Sequence, residues 1–183
     1  MRKLAQQLKV EAMSLYNHIA NKEALLDAMV ERVIEAMEVP DPQQNWQQEL
    51  RRWALSVYHV LNQHPWATLM IISRMNVGPA MLRQIDASLG CLVEAGFSHA
   101  QADHARTALS SFLYGFIMQE QHFPIQPDAF ADSAEAFLPQ LPEAQYPYMR
   151  ALAIDVIEGR FSGVNELAFG LDILLEGLAR SLR

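Results

Sequence analysis

The chain has 183 residues, 51% of them hydrophobic and 19% charged, with a formal net charge of −7. That length suits one sizeable core, or one domain with a small appendage, and the composition excludes a disordered polymer. No apolar run approaches the ~20 residues that cross a bilayer, and the single Cys91 allows no internal disulfide, which fits a reducing cytoplasm.

The first residues do not read as a secretory leader, because Gln6, Gln7, Lys9 and Glu11 interrupt any apolar run. They read instead as a short helix over Arg2–Leu8, a tight turn at Lys9-Val10-Glu11, and a second short helix over Ala12–His18. Asn21 then caps a longer helix that ends near Met37 or Glu38, ahead of Pro40-Asp41-Pro42. This is the outline of a helix-turn-helix, whose second helix enters the major groove of DNA. Residues 1–22 hold Arg2, Lys3, Lys9 and Lys22 against Glu11, a local balance of +3 that leaves −10 on the remaining 161 residues. A basic head on an acidic body suits contact with phosphate at one end only, although chance clustering of four basic residues would look the same on charge alone.

Helical spacing continues through Trp46, Leu50, Trp53, Val57, Tyr58 and Leu61, and Pro65 breaks that run. A short apolar segment, Trp66 to Ile72, follows; Met81, Ile85, Leu89 and Leu92 mark another helix between Pro79 and Gly96. Ser98 with Gln101 forms a capping-box pattern and opens a helix whose wide apolar face holds Leu109, Phe112, Leu113, Phe116 and Ile117. Tyr114 and Met118 fall on its other side, so two buried faces are expected. A proline-punctuated stretch carries one short helix near Asp128–Leu138, and helix resumes over Tyr148–Glu158. The last helix, Asn165 to about Leu182, places Leu167, Leu171, Leu174 and Leu178 on one stripe, with Gly170 and Gly177 open to close approach by another helix. Two apolar stripes on a terminal helix favour a two-fold dimer.

The segments Arg2-Lys3-Leu4-Ala5-Gln6, Leu15-Tyr16-x-His18 and Asn21-Lys22-x-Ala24-Leu25-Leu26-Asp27-Ala28 resemble the DNA-binding domain of the tetracycline-repressor (TetR) family. Phe169-Gly170-Leu171-x-x-Leu174-x-x-Gly177-Leu178 is similar to the final dimerisation helix of the tetracycline-repressor branch, and Trp46, Gly96-Phe97-Ser98 and Gly115 fall at matching intervals. The resemblance implies an all-α fold with a helix-turn-helix head over residues 1–38 and an effector-binding body over residues 39–183 that dimerises through a four-helix bundle. In that family a further helix precedes the first one here, so Leu4, Leu8 and Leu15 are expected to lack cover and the head to be loose or displaced. Either the natural start lies upstream of Met1 or the chain is a shortened product that binds DNA poorly. Lys9 stands where relatives often carry glycine in the turn, at a strain of roughly 1 kcal/mol.

The expected DNA-facing residues are Arg2, Ala12, Met13, Ser14, Tyr16, Asn17, His18 and Lys22. Arg2 can reach a guanine edge or a phosphate, Ala12 and Met13 can meet a thymine methyl, and Ser14, Tyr16, His18 and Lys22 offer donors to phosphate. Each of these alone reads equally as a solvated side chain; the spacing of the whole segment carries the assignment. Leu4, Leu8, Val10, Leu15 and Ile19 read as the small core of the head.

Relatives bind an inducer inside the body, and Trp53, Val57, Ile71, Met75, Ile85, Ser88, Phe112 and Gln119 are the candidate lining positions, although such spacing also suits plain core packing. Positions matching those that hold magnesium–tetracycline carry Ile71 or Ile72, Met75 and Gln119, which suit a hard cation poorly. A mainly apolar effector is therefore expected, and no tetracycline. No metal site, cofactor or catalytic set emerges: His59/His64 and His99/His104 are each five apart, off a shared helix face, and Cys91 has no nearby base. The expectation is a cytoplasmic, homodimeric repressor that binds a palindromic duplex operator and a small molecule, with no membrane partner. The rival readings are a helical dimer that binds only a ligand or a protein partner and, more remotely, a helical enzyme.

Overall fold

The computed structural model describes every residue except Asn76 and Arg183, and of Ala12 the backbone only. Among the described residues all regular structure is helical: α1 (Arg2–Gln7), α2 (Ala12–Tyr16), α3 (Lys22–Glu35), α4 (Trp46–Gln63), α5 (Pro65–Ser73), α6 (Pro79–Glu94), α7 (His99–His122), α8 (Phe130–Phe137), α9 (Pro147–Ile157) and α10 (Leu167–Ser181). The chain divides into two units, Met1–Met118 with Leu171–Arg183, and Gln119–Gly170.

Local chemistry sets most of the boundaries. Asn21 Oδ1 accepts the Ala24 N–H at 2.8 Å and Asn45 Oδ1 accepts the Gln48 N–H at 3.0 Å, so α3 and α4 start on side-chain caps. Ser98 and Gln101 close the expected capping box, with Gln101 Oε1 accepting the Ser98 N–H at 3.0 Å and Ser98 Oγ accepting the Gln101 N–H at 3.3 Å. Pro65, Pro79 and Pro147 each begin a helix, where a missing N–H carries no penalty. The sequence marks Pro65 as the end of one helix; the structure makes it also the first residue of the next.

Two helices end in the same motif with different residues. After α6 the Phe97 N–H donates to Leu92 O at 3.1 Å and the Gly96 N–H to Val93 O at 2.9 Å, with Gly96 at φ 109°. After α1 the Val10 N–H donates to Ala5 O at 3.0 Å and the Lys9 N–H to Gln6 O at 3.2 Å, with Lys9 at φ 54°. Both are Schellman endings that need a left-handed residue. Lys9 holds that backbone in the turn of the helix-turn-helix, as the sequence expects.

In the larger unit Val30 and Ile34 of α3, Leu50, Val57 and Leu61 of α4, Leu92 of α6, Leu109, Leu113 and Ile117 of α7, and Leu171 and Leu175 of α10 are buried. Trp46 meets Phe97 edge-on at 5.7 Å, and Arg51 Nε donates to Asp172 Oδ1 at 2.8 Å, holding α10 beside α4. The buried stripe of α10 runs through Leu167, Leu171 and Leu175; Leu174, expected on it, is half-buried. Phe169 and Ile173, at 72% and 55% exposure, and Gly177, with open space around it, lie on another face of the same helix. In the smaller unit α8 packs on α9, Arg150 Nη1 donates to Leu141 O at 3.2 Å, and Phe130 stacks near Phe123 at 5.7 Å.

Candidate ligand cavity and nucleic-acid-facing head

The head is small and largely uncovered. Ala5 is buried, Leu15 and Ile19 are half-buried, and Leu4, Leu8 and Val10 are exposed. Of the DNA-facing candidates Arg2, Met13, Tyr16, Asn17, His18 and Lys22 are exposed and Ser14 is half-buried; the Ala12 side chain lies outside the described residues. Arg2, Lys3, Lys9 and Lys22 take part in none of the ion pairs among the described residues, whereas Arg32, Arg52 and Arg74 are paired with Glu35, Glu38 and Asp27. Among the described residues, four basic side chains outside any ion pair are thus gathered over residues 2–22, with Arg83 and Arg150 the others.

A cavity of about 180 Å³ lies in the larger unit. Ile34 of α3 and Met37 just after it form one side, Trp53 and Val57 of α4 another, and Ile71 and Ile72 of α5 a third. Met81, Gln84, Ile85 and Ser88 of α6 and Arg106, Ser110 and Tyr114 of α7 complete the wall. Five expected lining residues, Trp53, Val57, Ile71, Ile85 and Ser88, thus lie together. Met75 is 91% exposed and borders a second concavity with Asp27 and Glu31; Phe112 is not on the cavity wall, and Gln119 belongs to the smaller unit.

The wall is apolar with a polar minority. Trp53 Nε1, Gln84 Oε1 and Arg106 Nε are buried without a hydrogen-bond partner. Gln84 Nε2 donates to Met37 O at 3.2 Å, which fixes the amide orientation, because the opposite one would set two carbonyl oxygens face to face. The Ser88 hydroxyl is shared between Gln84 O at 2.7 Å and Ile85 O at 3.0 Å. Arg106 Nη2 donates to Asp103 Oδ1 at 3.0 Å. Burial pushes the Tyr114 phenol up to about 12, against a smaller opposing effect of Arg106, so it stays neutral. Gln84, Arg106, Ser110 and Tyr114 were not singled out as lining residues by the sequence, because a polar residue on a helix ordinarily faces water; the two-faced apolar pattern of α7 was the available signal.

Helix α3 joins the two regions. Its first turn follows the head, and its far end reaches the cavity through Ile34. Arg74, which caps α5, donates to Asp27 Oδ1 and to Glu23 Oε2, both at 2.6 Å. The Glu31 carboxylate accepts the Ala80 N–H and so caps the start of α6. A Cβ on Gly78 would overlap the Glu31 carboxylate, so glycine makes room for that cap.

An all-helical unit with an apolar concavity, joined through α3 to two short helices that meet at a left-handed turn, defines the fold class. Residues 39–182 match the tetracyclin repressor-like C-terminal domain, and the chain belongs to the tetracycline-repressor (TetR) family. It is 31% identical over 148 residues to an HTH-type transcriptional regulator of Saccharopolyspora erythraea, covering 80% of this chain and 63% of that one. It is 35% identical over 127 residues to the class E tetracycline repressor protein of Escherichia coli, covering 66% and 58%. The chain thus spans about six-tenths of the length of these two relatives. Among solved structures, the TetR family protein ActR of Streptomyces coelicolor in complex with actinorhodin aligns with a TM-score of 0.81 and 27% identity, over 100% of this chain and 87% of that one.

Proposed function

We propose that the chain is a ligand-responsive transcriptional repressor that binds a palindromic duplex operator as a cytoplasmic homodimer. One observation carries this reading: a single helix, α3, has the unpaired basic head at one end and the cavity wall at the other. A ligand that prefers one packing of α3, α5 and α6 necessarily biases the head, since coupling requires only differential binding between two states. Residues 1–38 form the DNA-binding part and residues 39–183 the effector and dimer part. The exposed face of α10 through Phe169, Ile173 and Gly177 is the dimer seam, closing a four-helix bundle with its symmetry mate. The complex of ActR with actinorhodin supports a small-molecule effector for this cavity as well. Among the described residues the cavity wall is lined by aliphatic, thioether, aromatic, amide and hydroxyl side chains and Arg106, a set that suits a hard cation such as magnesium poorly.

The test is duplex selection from a random-sequence pool, followed by affinity measurement across a salt series. The chain should retain palindromic sites with an affinity that falls steeply with salt, and Tyr16→Ala with Lys22→Ala should remove most of it. Retention no better than that of the double variant would instead favour a helical dimer that binds only ligands or protein partners.

A further inference from the structure

A void left by imperfect packing is apolar and dry. The cavity described above differs, because three polar atoms on its lining residues are buried and unpartnered: Trp53 Nε1, Arg106 Nε and Gln84 Oε1. Folding rarely leaves such groups unsatisfied without a functional reason or a bound molecule. Their chemistry is unambiguous: the indole and guanidinium N–H groups can only donate, and the Gln84 oxygen, held in place through Met37, can only accept.

The charge balance narrows the choice further. Arg106 is the one charged residue on the wall among the described residues, and Asp103 already pairs with it at 3.0 Å. A carboxylate ligand would have to compete with Asp103 or be buried without a counter-charge. The rings of Trp53 and Tyr114 and the thioethers of Met37 and Met81 favour an aromatic occupant. The volume of about 180 Å³ exceeds the ~150 Å³ that admits a benzene ring.

We infer, resting on the effector-cavity reading, that the cavity takes a neutral aromatic molecule with an acceptor oxygen of carbonyl type for Trp53 and Arg106 and a hydroxyl or amine donor for Gln84. Water alone in the cavity would leave affinity insensitive to those ligand groups, which makes the inference testable.

The experiment is isothermal titration of the full chain with a naphthol that carries an acetyl group at the far end of its ring system. Ethylnaphthalene, acetylnaphthalene, naphthol and hydroxynaphthoate serve as comparisons. The acetyl-naphthol should bind about tenfold or more tightly than ethylnaphthalene, with acetylnaphthalene and naphthol between them. Trp53→Phe should weaken the acetyl-bearing ligands about three- to tenfold more than it weakens ethylnaphthalene, which reads only the lost ring surface. Ethylnaphthalene binding as tightly as the acetyl-naphthol overturns the inference and leaves the cavity as an effector site. Tightest binding by hydroxynaphthoate overturns the neutral-ligand part. Binding by none of the five overturns both the inference and the effector-cavity reading. If Trp53→Phe melts early, the ligand series on the unaltered chain still decides.

Discussion

Arg74 donates through both Nε and Nη2 to Asp27 Oδ1, at 3.1 and 2.6 Å, and so fastens the end of α5 to the second turn of α3. Glu23 takes the remaining nitrogen, Nη1, at 2.6 Å. The carboxylates are mostly exposed, so the network should matter for local order more than for global stability. Arg74→Ala should speed amide exchange over Ala24–Ala28 several-fold while leaving the melting temperature nearly unchanged. Added salt should reproduce the effect in the unaltered chain. Exchange that ignores both changes would remove this contact from the coupling between cavity and head.

Lys9 occupies the same left-handed position after α1 that Gly96 occupies after α6. A side chain there costs about 1–2 kcal/mol, offset in part by the extra chain entropy of glycine, roughly 0.5–1 kcal/mol. Lys9→Gly should therefore steady the turn, slowing exchange at its amides about two- to fivefold. Faster exchange in the glycine variant would show that the Lys9 backbone is not strained. Its duplex affinity should still fall at low salt if the Lys9 charge meets phosphate.

Burial raises the Cys91 thiol to about 11 from 9.0, with Glu49 and Asp41 adding to the effect, and the Tyr114 phenol to about 12 from 10.0. Both groups hold their protons more tightly when folded, so their stabilisation is complete below the unfolded values. It is lost as pH rises, first across the Cys91 window and then across that of Tyr114, by on the order of a few kcal/mol together. Urea midpoints should fall through pH 9 to 12, and Tyr114→Phe should flatten the upper part of the fall. A midpoint constant over that range would contradict the burial of both groups. Cys91 should also resist thiol reagents until the chain unfolds.

Gly78 and Glu31 form one device at the start of α6. Gly78→Ala pushes the carboxylate away from the Ala80 N–H, and Glu31→Ala removes it. Each should cost about 1–2 kcal/mol in chemical denaturation. The double variant should cost little more than either, because both remove the same cap. Additive losses would mean that Gly78 acts through something other than Glu31.

Much of the helical framework was legible because its signals are short-range. Asn21, the Ser98–Gln101 pair and Gly96 fix helix ends through bonds to neighbours a few residues away. Long-range choices were less legible. Leu174 and Leu175 are identical neighbours, and only packing against the rest of the unit selects Leu175 for burial. The cavity was half legible: Trp53, Val57 and Ile85 follow helical spacing, but Gln84 and Arg106 enter it as buried polar groups. Pattern reading assigns such residues to solvent. Arg74 and Ala80 stand outside any periodic signal, yet their bonds to Asp27 and Glu31 tie α3 to α5 and α6.

Coupling between cavity and head can be measured without knowing the natural operator or effector. A duplex selected from the random pool is titrated into the chain with and without saturating acetyl-naphthol, and the ligand is titrated with and without saturating duplex. Thermodynamic linkage requires the two ratios to be equal, and couplings of this kind are typically about 5- to 150-fold. The account predicts weaker duplex binding with ligand present, by the same factor as duplex weakens the ligand. Ratios of one in both directions, with both partners bound, would contradict it.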